Sequence, residues 1–192
     1  MFEGGEGSGK STASAGVARR LNAARIPHVH TREPGGTPAG ELIRGVLHEP
    51  LTPWAELFAF LVARAQLVET VIRPALERGE VVLCDRFAPS TFAYQVHARG
   101  LDEAAVRQAN RLATGDLEPD LVIYLDIDPA AGLARKRGES EAIRTGLEDL
   151  AFHQKVREGY LAQAAEDPTR WVVIDATLRP EQVVERAWVA LP

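Results

Sequence analysis

Residues 4–12 read Gly4-Gly5-Glu6-Gly7-Ser8-Gly9-Lys10-Ser11-Thr12, a complete G-x-x-x-x-G-K-S/T loop. No other stretch restricts the fold as much, because such a loop works only between the end of a strand and the start of a helix. Gly4, Gly7 and Gly9 let the backbone turn tightly and aim successive N–H groups at an anion. Lys10 then suits the β- and γ-phosphates of a nucleoside triphosphate, and the Ser11 hydroxyl suits a Mg²⁺ ligand position. A helix expected from Ser11 to Ala24 adds its positive N-terminal end to the same anion site. The plainer alternative, a Gly-rich turn that only caps a helix, does not require Lys-Ser-Thr at this spacing.

Five short apolar runs rich in β-branched residues follow the same logic along the chain: Met1 to Glu3, Ile26 to Arg32, Val81 to Asp85, Leu121 to Asp126 and Trp171 to Asp175. Three are almost continuously apolar, as expected of central parallel strands covered on both faces. Between them the period becomes helical over Thr37 to His48, Trp54 to Arg78, Asp102 to Thr114, Pro129 to Arg137, Glu148 to Glu166 and Pro180 to Ala190. Asp128-Pro129 reads as an N-cap and first helical residue, and Arg179-Pro180 as another helix start. The alternation predicts one α/β three-layer domain over 1–192, a P-loop NTPase fold with a five-stranded parallel sheet flanked by helices. Ligands are then expected at the carboxyl ends of the strands.

Composition narrows the partners. A net charge of −5 argues against general affinity for nucleic acid or anionic membrane, so basic residues must be concentrated where phosphates sit. A single cysteine, Cys84, leaves no internal disulfide and suits a reducing, cytoplasmic setting. No apolar run is long enough to span a bilayer, and no leader is expected before the loop. The five histidines show no metal-binding spacing.

The predicted strand ends carry the chemistry. Asp85-Arg86-Phe87 follows the third strand, where Asp85 is placed to hold Mg²⁺ or act on an acceptor and Arg86 to neutralise a transferring phosphoryl group. The second strand ends Thr31-Arg32-Glu33-Pro34-Gly35-Gly36-Thr37, and the Arg32 fork can bind a second anion. Arg64 falls inside the apolar stripe of the helix from Trp54, one turn from Phe60. A charge there is costly unless a phosphate, a base or a set of acceptors meets it. Pro89 can begin a short helix in which Ser90 with Tyr94 and Thr91 with Gln95 are i,i+4 pairs able to read the edge of a base. Last, Arg135-Lys136-Arg137-Gly138 and Arg144 fall in a polar, Gly-bounded stretch that can serve as a lid, at about 136–148. Each segment has a plainer reading as an ordinary loop, edge or solvated face.

Taken in order, Phe-Glu-Gly-Gly-Glu-Gly-Ser-Gly-Lys-Ser-Thr at 2–12, Thr-Arg-Glu-Pro-Gly-Gly-Thr at 31–37, Phe60 with Arg64, Asp85-Arg86-Phe87, Ser90 to Gln95 and Tyr-Leu-Asp-Ile-Asp-Pro at 124–129 resemble the thymidylate kinases. The resemblance runs along nearly the whole chain. It implies a nucleoside monophosphate kinase-like fold with a lid, ATP:dTMP phosphotransferase activity with Mg²⁺, and a homodimer. Lys10 and the loop amides would hold ATP, with Arg135 and Arg137 beside them. Arg32, Arg64 and Arg86 would contact the acceptor phosphate or base, beside Pro34. Phe60 would stack on thymine, Ser90, Thr91 and Gln95 would lie at its polar edge, and Tyr94 against the deoxyribose. Glu6 stands where the family more often has Asp, near the acceptor sugar or metal. Because Glu6, Gly7 and Ser8 offer no cation, the resemblance assigns catalytic charge to the lid, with Arg144 foremost. Ile143-Arg144 and Gly146 depart from the family's lid pattern, and only Met1 and Phe2 precede Glu3.

Rival readings are a deoxynucleoside kinase, with Asp85 as general base, another nucleoside monophosphate kinase, and a nucleotide-switch module without an acceptor. Arg32 and Arg64 favour an acceptor that already bears phosphate over a neutral hydroxyl, and no Asn-Lys-x-Asp occurs for a guanine switch.

Overall fold

The structure is a computed structural model that describes residues 1–136 and 148–192. Five strands, β1 (Phe2–Gly4), β2 (His28–Arg32), β3 (Val81–Asp85), β4 (Val122–Asp126) and β5 (Trp171–Asp175), form one sheet in the order β2-β3-β1-β4-β5. Every pairing is parallel, as the alternation predicted. The three central strands carry the buried apolar runs: Phe2, Leu83, Cys84, Ile123, Tyr124 and Leu125 are all below 5% exposed. Pairing of Phe2 and Arg32 with Asp85 brings the carboxyl ends of β1, β2 and β3 together.

Helices cover both faces. On one, α1 (Lys10–Ala23) packs against α9 (Pro180–Val189), with Val17 and Leu21 facing Val183 and Ala187 across Leu83, Ile123 and Ile174. The other face holds α3 (Pro53–Leu67), α5 (Ala88–Thr91) and α8 (Leu150–Glu166), whose Tyr160 stacks on Tyr124 with ring centroids 4.9 Å apart. Further helices are α2 (Pro38–Val46), α4 (Arg73–Glu77), α6 (Glu103–Thr114) and α7 (Pro129–Lys136). Their caps follow the sequence: Asp102, Asp128 and Asp149 each accept a backbone N–H from the first turn that follows.

Two predicted helices differ from the expectation. The span from Trp54 to Arg78 is interrupted by a π-helical turn at Val68–Ile72 between α3 and α4. Pro74 explains the break, since it has no N–H for a regular i−4 bond and sits at the start of α4. The segment after α5 is likewise π-helical over Phe92–Ala98. Ser90, Thr91, Tyr94 and Gln95 therefore reach one cavity by a wider spiral than i,i+4 pairing on an α-helix.

Candidate active site

The loop after β1 depends on glycine where backbone meets backbone. A Cβ on Gly7, whose φ is +66°, would lie 1.9 Å from the carbonyl oxygen of Gly132, so α7 packs directly on the loop. Lys10 folds over this loop, its Nζ donating to the carbonyls of Gly4 at 3.1 Å and Gly5 at 2.9 Å. Burial, reinforced by Arg86, lowers its pKa to about 8 against the pull of Asp85 and Glu6. The cleft at the loop also gathers Arg32, Arg44, Arg86, Arg135 and Lys136 around Ser11, Thr12, Pro34 and Asp85. Cations this dense in a protein of net charge −5 mark a polyanion site.

At its floor, Ser11 Oγ donates to Asp85 Oδ2 at 2.6 Å, bringing the two predicted metal ligands into contact. Asp85 Oδ1 is buried without a partner. The Ser11 hydroxyl and the Asp85 carboxylate, one of its oxygens orphaned, are hard oxygen donors of the kind Mg²⁺ takes. The residues present fit that ion.

Arg86 joins this cleft to a second one. Its φ of +70° is rare for a residue with a side chain. The turn is held by its N–H on the Phe2 carbonyl at 2.9 Å, and Nη1 donates to Gly4 O at 3.1 Å and Ser90 Oγ at 3.2 Å. Nη2 meets Glu6 Oε1 at 3.2 Å, while Lys136 binds the other Glu6 oxygen. Burial would raise the Glu6 carboxyl, but Arg86, Lys10 and Lys136 outweigh it and hold its pKa down at about 2. Glu6 is thus a fixed negative charge between the cations.

The second cleft is narrow and is lined by Glu6, Arg86, Phe60, Arg64, Ser90, Thr91, Tyr94 and Gln95, together with Glu33. Of the residues assigned to the acceptor from sequence, Arg32 and Pro34 line the first cleft instead, and the others border this one. Arg64 is only 1% exposed, and its counter-charge is a protein carboxylate. Nε and Nη2 donate to Glu33 Oε2 at 2.9 and 2.7 Å, and Nη1 donates to Thr91 Oγ1 and Asn110 Oδ1 at 3.0 and 2.8 Å. Four of five N–H groups are thereby used, and one Nη2 proton is left. Of the partners the sequence left open for Arg64, the structure supplies a set of acceptors, Glu33, Thr91 and Asn110. The Tyr94 hydroxyl is buried without a partner, and burial pushes its pKa up to about 12.

Other predicted residues stand apart in detail. The Ser90 hydroxyl donates to Glu3 Oε2 at 2.7 Å, so its proton is directed away from a base. Arg32 lies half exposed at the cleft mouth, its guanidinium on both oxygens of Glu41 at 3.2 Å. Arg135 is anchored on the Ala176 carbonyl at 2.8 Å. Arg137 and Arg144, and most of the stretch 136–148, lie outside the described residues. The sequence reading gave no role to Glu3, Glu33 or Glu56, and named Lys136 only within the basic lid stretch. Glu3 was legible as a carboxylate inside an apolar strand, for it accepts from Phe87 N, Ser90 Oγ and Tyr160 Oη at 2.7–2.9 Å. Glu33 carried no such signal, since its partner is 31 positions away.

Comparison with known proteins agrees with this geometry. A family model described as Thymidylate kinase matches residues 2–187. The chain is 52% identical to a thymidylate kinase of Thermomicrobium roseum over 99% of its length and 92% of the relative's. It is 47% identical to one of Deinococcus radiodurans, over 99% and 94% of the two chains. Among solved structures, the thymidylate kinase of Ehrlichia chaffeensis superposes with a TM-score of 0.80 at 31% identity, covering 97% of this chain and 93% of that one. The chain belongs to the thymidylate kinase family.

Proposed function

We propose that the two clefts hold the donor and acceptor of one reaction, transfer of the γ-phosphoryl group of ATP to dTMP, giving ADP and dTDP. The observation that carries this reading is their junction at Glu6 and Arg86, which border both spaces. The loop of Gly4 to Thr12 binds the ATP phosphates, with Lys10 leaving its two carbonyls for the β- and γ-oxygens. Phe60 stacks on the base, and Arg64, Thr91 and Gln95 meet its polar edge. Tyr94 lies against the sugar, and Arg32 and Arg86 hold the acceptor phosphate. An acceptor phosphate oxygen is already a nucleophile, so the chain needs no general base. Its work is alignment and charge neutralisation. Ser11 and Asp85 would hold Mg²⁺, which when bound would supply charge neutralisation at the phosphates. Arg86 and Lys136 meet charge on the transferring group from the protein side, and Glu6 holds both in place.

The same reading includes a homodimer and a cytoplasmic setting. Trp54, Phe58 and Val62 on α3 recur every four residues and are 39–55% exposed, beside Leu42 and Val46 on α2 at 76% and 45%. An apolar stripe of that kind suits a second copy of the chain. Cys84 is buried and unpaired, and burial raises its pKa, which suits a reducing compartment. No helix among the described residues is long and apolar enough to cross a membrane.

A thermal-shift comparison tests the two-cleft reading. Saturating dTMP without ATP is expected to raise Tm on its own, as is ATP with Mg²⁺. A chain stabilised by ATP but indifferent to dTMP would have no acceptor site in the second cleft.

A further inference from the structure

Gln95 borders the acceptor cleft, yet one end of its amide is already committed. Its Nε2 donates to Glu56 Oε1 at 2.8 Å, between side chains that are 2% and 4% exposed. A carboxylate accepts and cannot donate, so this contact decides which way the amide points. Glu56 is itself held, because Arg99 donates to both its oxygens at 2.9 Å through Nε and Nη2. The Arg99 guanidinium lies 4.8 Å from the centre of the Phe152 ring and also reaches Glu148 at 3.0 Å. Phe152 in turn packs on Tyr94 of the cleft, ring centroids 6.1 Å apart. None of Glu56, Arg99, Phe152 or Glu148 borders the cleft.

We propose that Glu56 and Arg99 are positioning residues that fix the Gln95 amide with Oε1 toward the bound base. The inference rests on reading this cleft as the acceptor site. Oε1 accepts no hydrogen bond from the described residues, and Arg64 retains one donor. Both residues border the cleft, so Gln95 supplies it with an acceptor and Arg64 with a donor. That pair complements the N3–H and O4 edge of thymine or uracil. Cytosine presents the reverse order, an unprotonated N3 beside an amino group, and would leave both protein groups opposed by like partners. Discrimination against cytosine therefore depends on an ion pair behind the cleft wall, through the orientation of one amide.

The test is steady-state kinetics of the full chain with ATP and Mg²⁺, using dTMP and dCMP as acceptors, for the wild type and Glu56→Gln. The substitution keeps shape but replaces one acceptor oxygen by a donor, so Gln95 can present either end. KM for dTMP is expected to rise about tenfold, with kcat falling much less. The dTMP-to-dCMP ratio of kcat/KM should shrink by at least about tenfold. Arg99→Met, which leaves Glu56 in place but unpinned, should move the ratio the same way by less, and serves if Glu56→Gln does not fold. A general loss of structure would lower both acceptors alike and leave the ratio where it was. An unchanged ratio in a folded variant overturns the positioning role. A wild type that fails to prefer dTMP to dCMP overturns the acceptor-site reading itself, and this inference with it.

Discussion

Lys10 rests on two loop carbonyls with its charge disfavoured by burial, so a phosphate bound there would meet an ammonium already stripped of water. Lys10→Ala should leave the fold intact and lower kcat by at least about a hundredfold, the usual scale for losing one donor to developing charge. Near-normal turnover in that variant would remove Lys10 from the mechanism. The same residue sets a pH dependence. In the free protein its pKa is lowered to about 8, and bound phosphate favours the charged form. Well below pH 8 the proton is already in place and this group leaves affinity flat. Above it, binding must take up a proton, so ATP affinity should fall as pH rises. Calorimetry in buffers of different ionisation enthalpy should show proton uptake near pH 9 and almost none at pH 7. At this scale the sequence was most informative where spacing alone specifies chemistry, as in Gly4 to Thr12 and Asp85-Arg86. It was silent where a charge is answered by a distant one: Arg64 was legible as an anomaly, but Glu33 as its answer was not.

Between elements, the acceptor cleft is assembled by the end of β2, the middle of α3 and the turn after β3, and the Arg64–Glu33 pair ties the first two together. Both side chains are at most 2% exposed, so breaking the pair leaves a buried, uncompensated charge. Arg64→Ala should cost about 3–5 kcal/mol of stability, measured by denaturant unfolding. A loss below about 1 kcal/mol would mean that water reaches Glu33 freely. The order of strands and helices was readable from apolar period because each central strand is covered on both faces. The π-helical turns were not, because periodicity over segments of five and seven residues does not separate an α-helical from a π-helical turn. Pro74 was the available signal for the first turn, and no comparable residue marks Phe92–Ala98.

For the molecule as a whole, the apolar stripe of α2 and α3 and the paired clefts make separate demands. A charge in the stripe, as in Phe58→Asp, should shift a homodimer toward monomer in sedimentation velocity, at little cost to the monomer's own core since Phe58 is 55% exposed. A wild-type chain that sediments as a monomer at all concentrations would contradict the dimer. The clefts were legible as a set because the loop after β1, Arg32 to Thr37 and Asp85-Arg86 lie at strand ends, which a parallel sheet brings to one side; Phe60 and Arg64 reach them from α3. The mutual orientation of the side chains was not, since hydrogen bonds such as those of Glu3 and Glu56 span 39 to 157 positions. The most direct measurement is an acceptor panel of dTMP, dUMP, AMP and thymidine, each assayed with ATP and Mg²⁺ by coupled ADP release. Transfer should be fastest to dTMP and negligible to thymidine, which lacks the phosphate that the proposal assigns to Arg32 and Arg86. Faster transfer to thymidine or AMP than to dTMP would contradict the assignment of the second cleft.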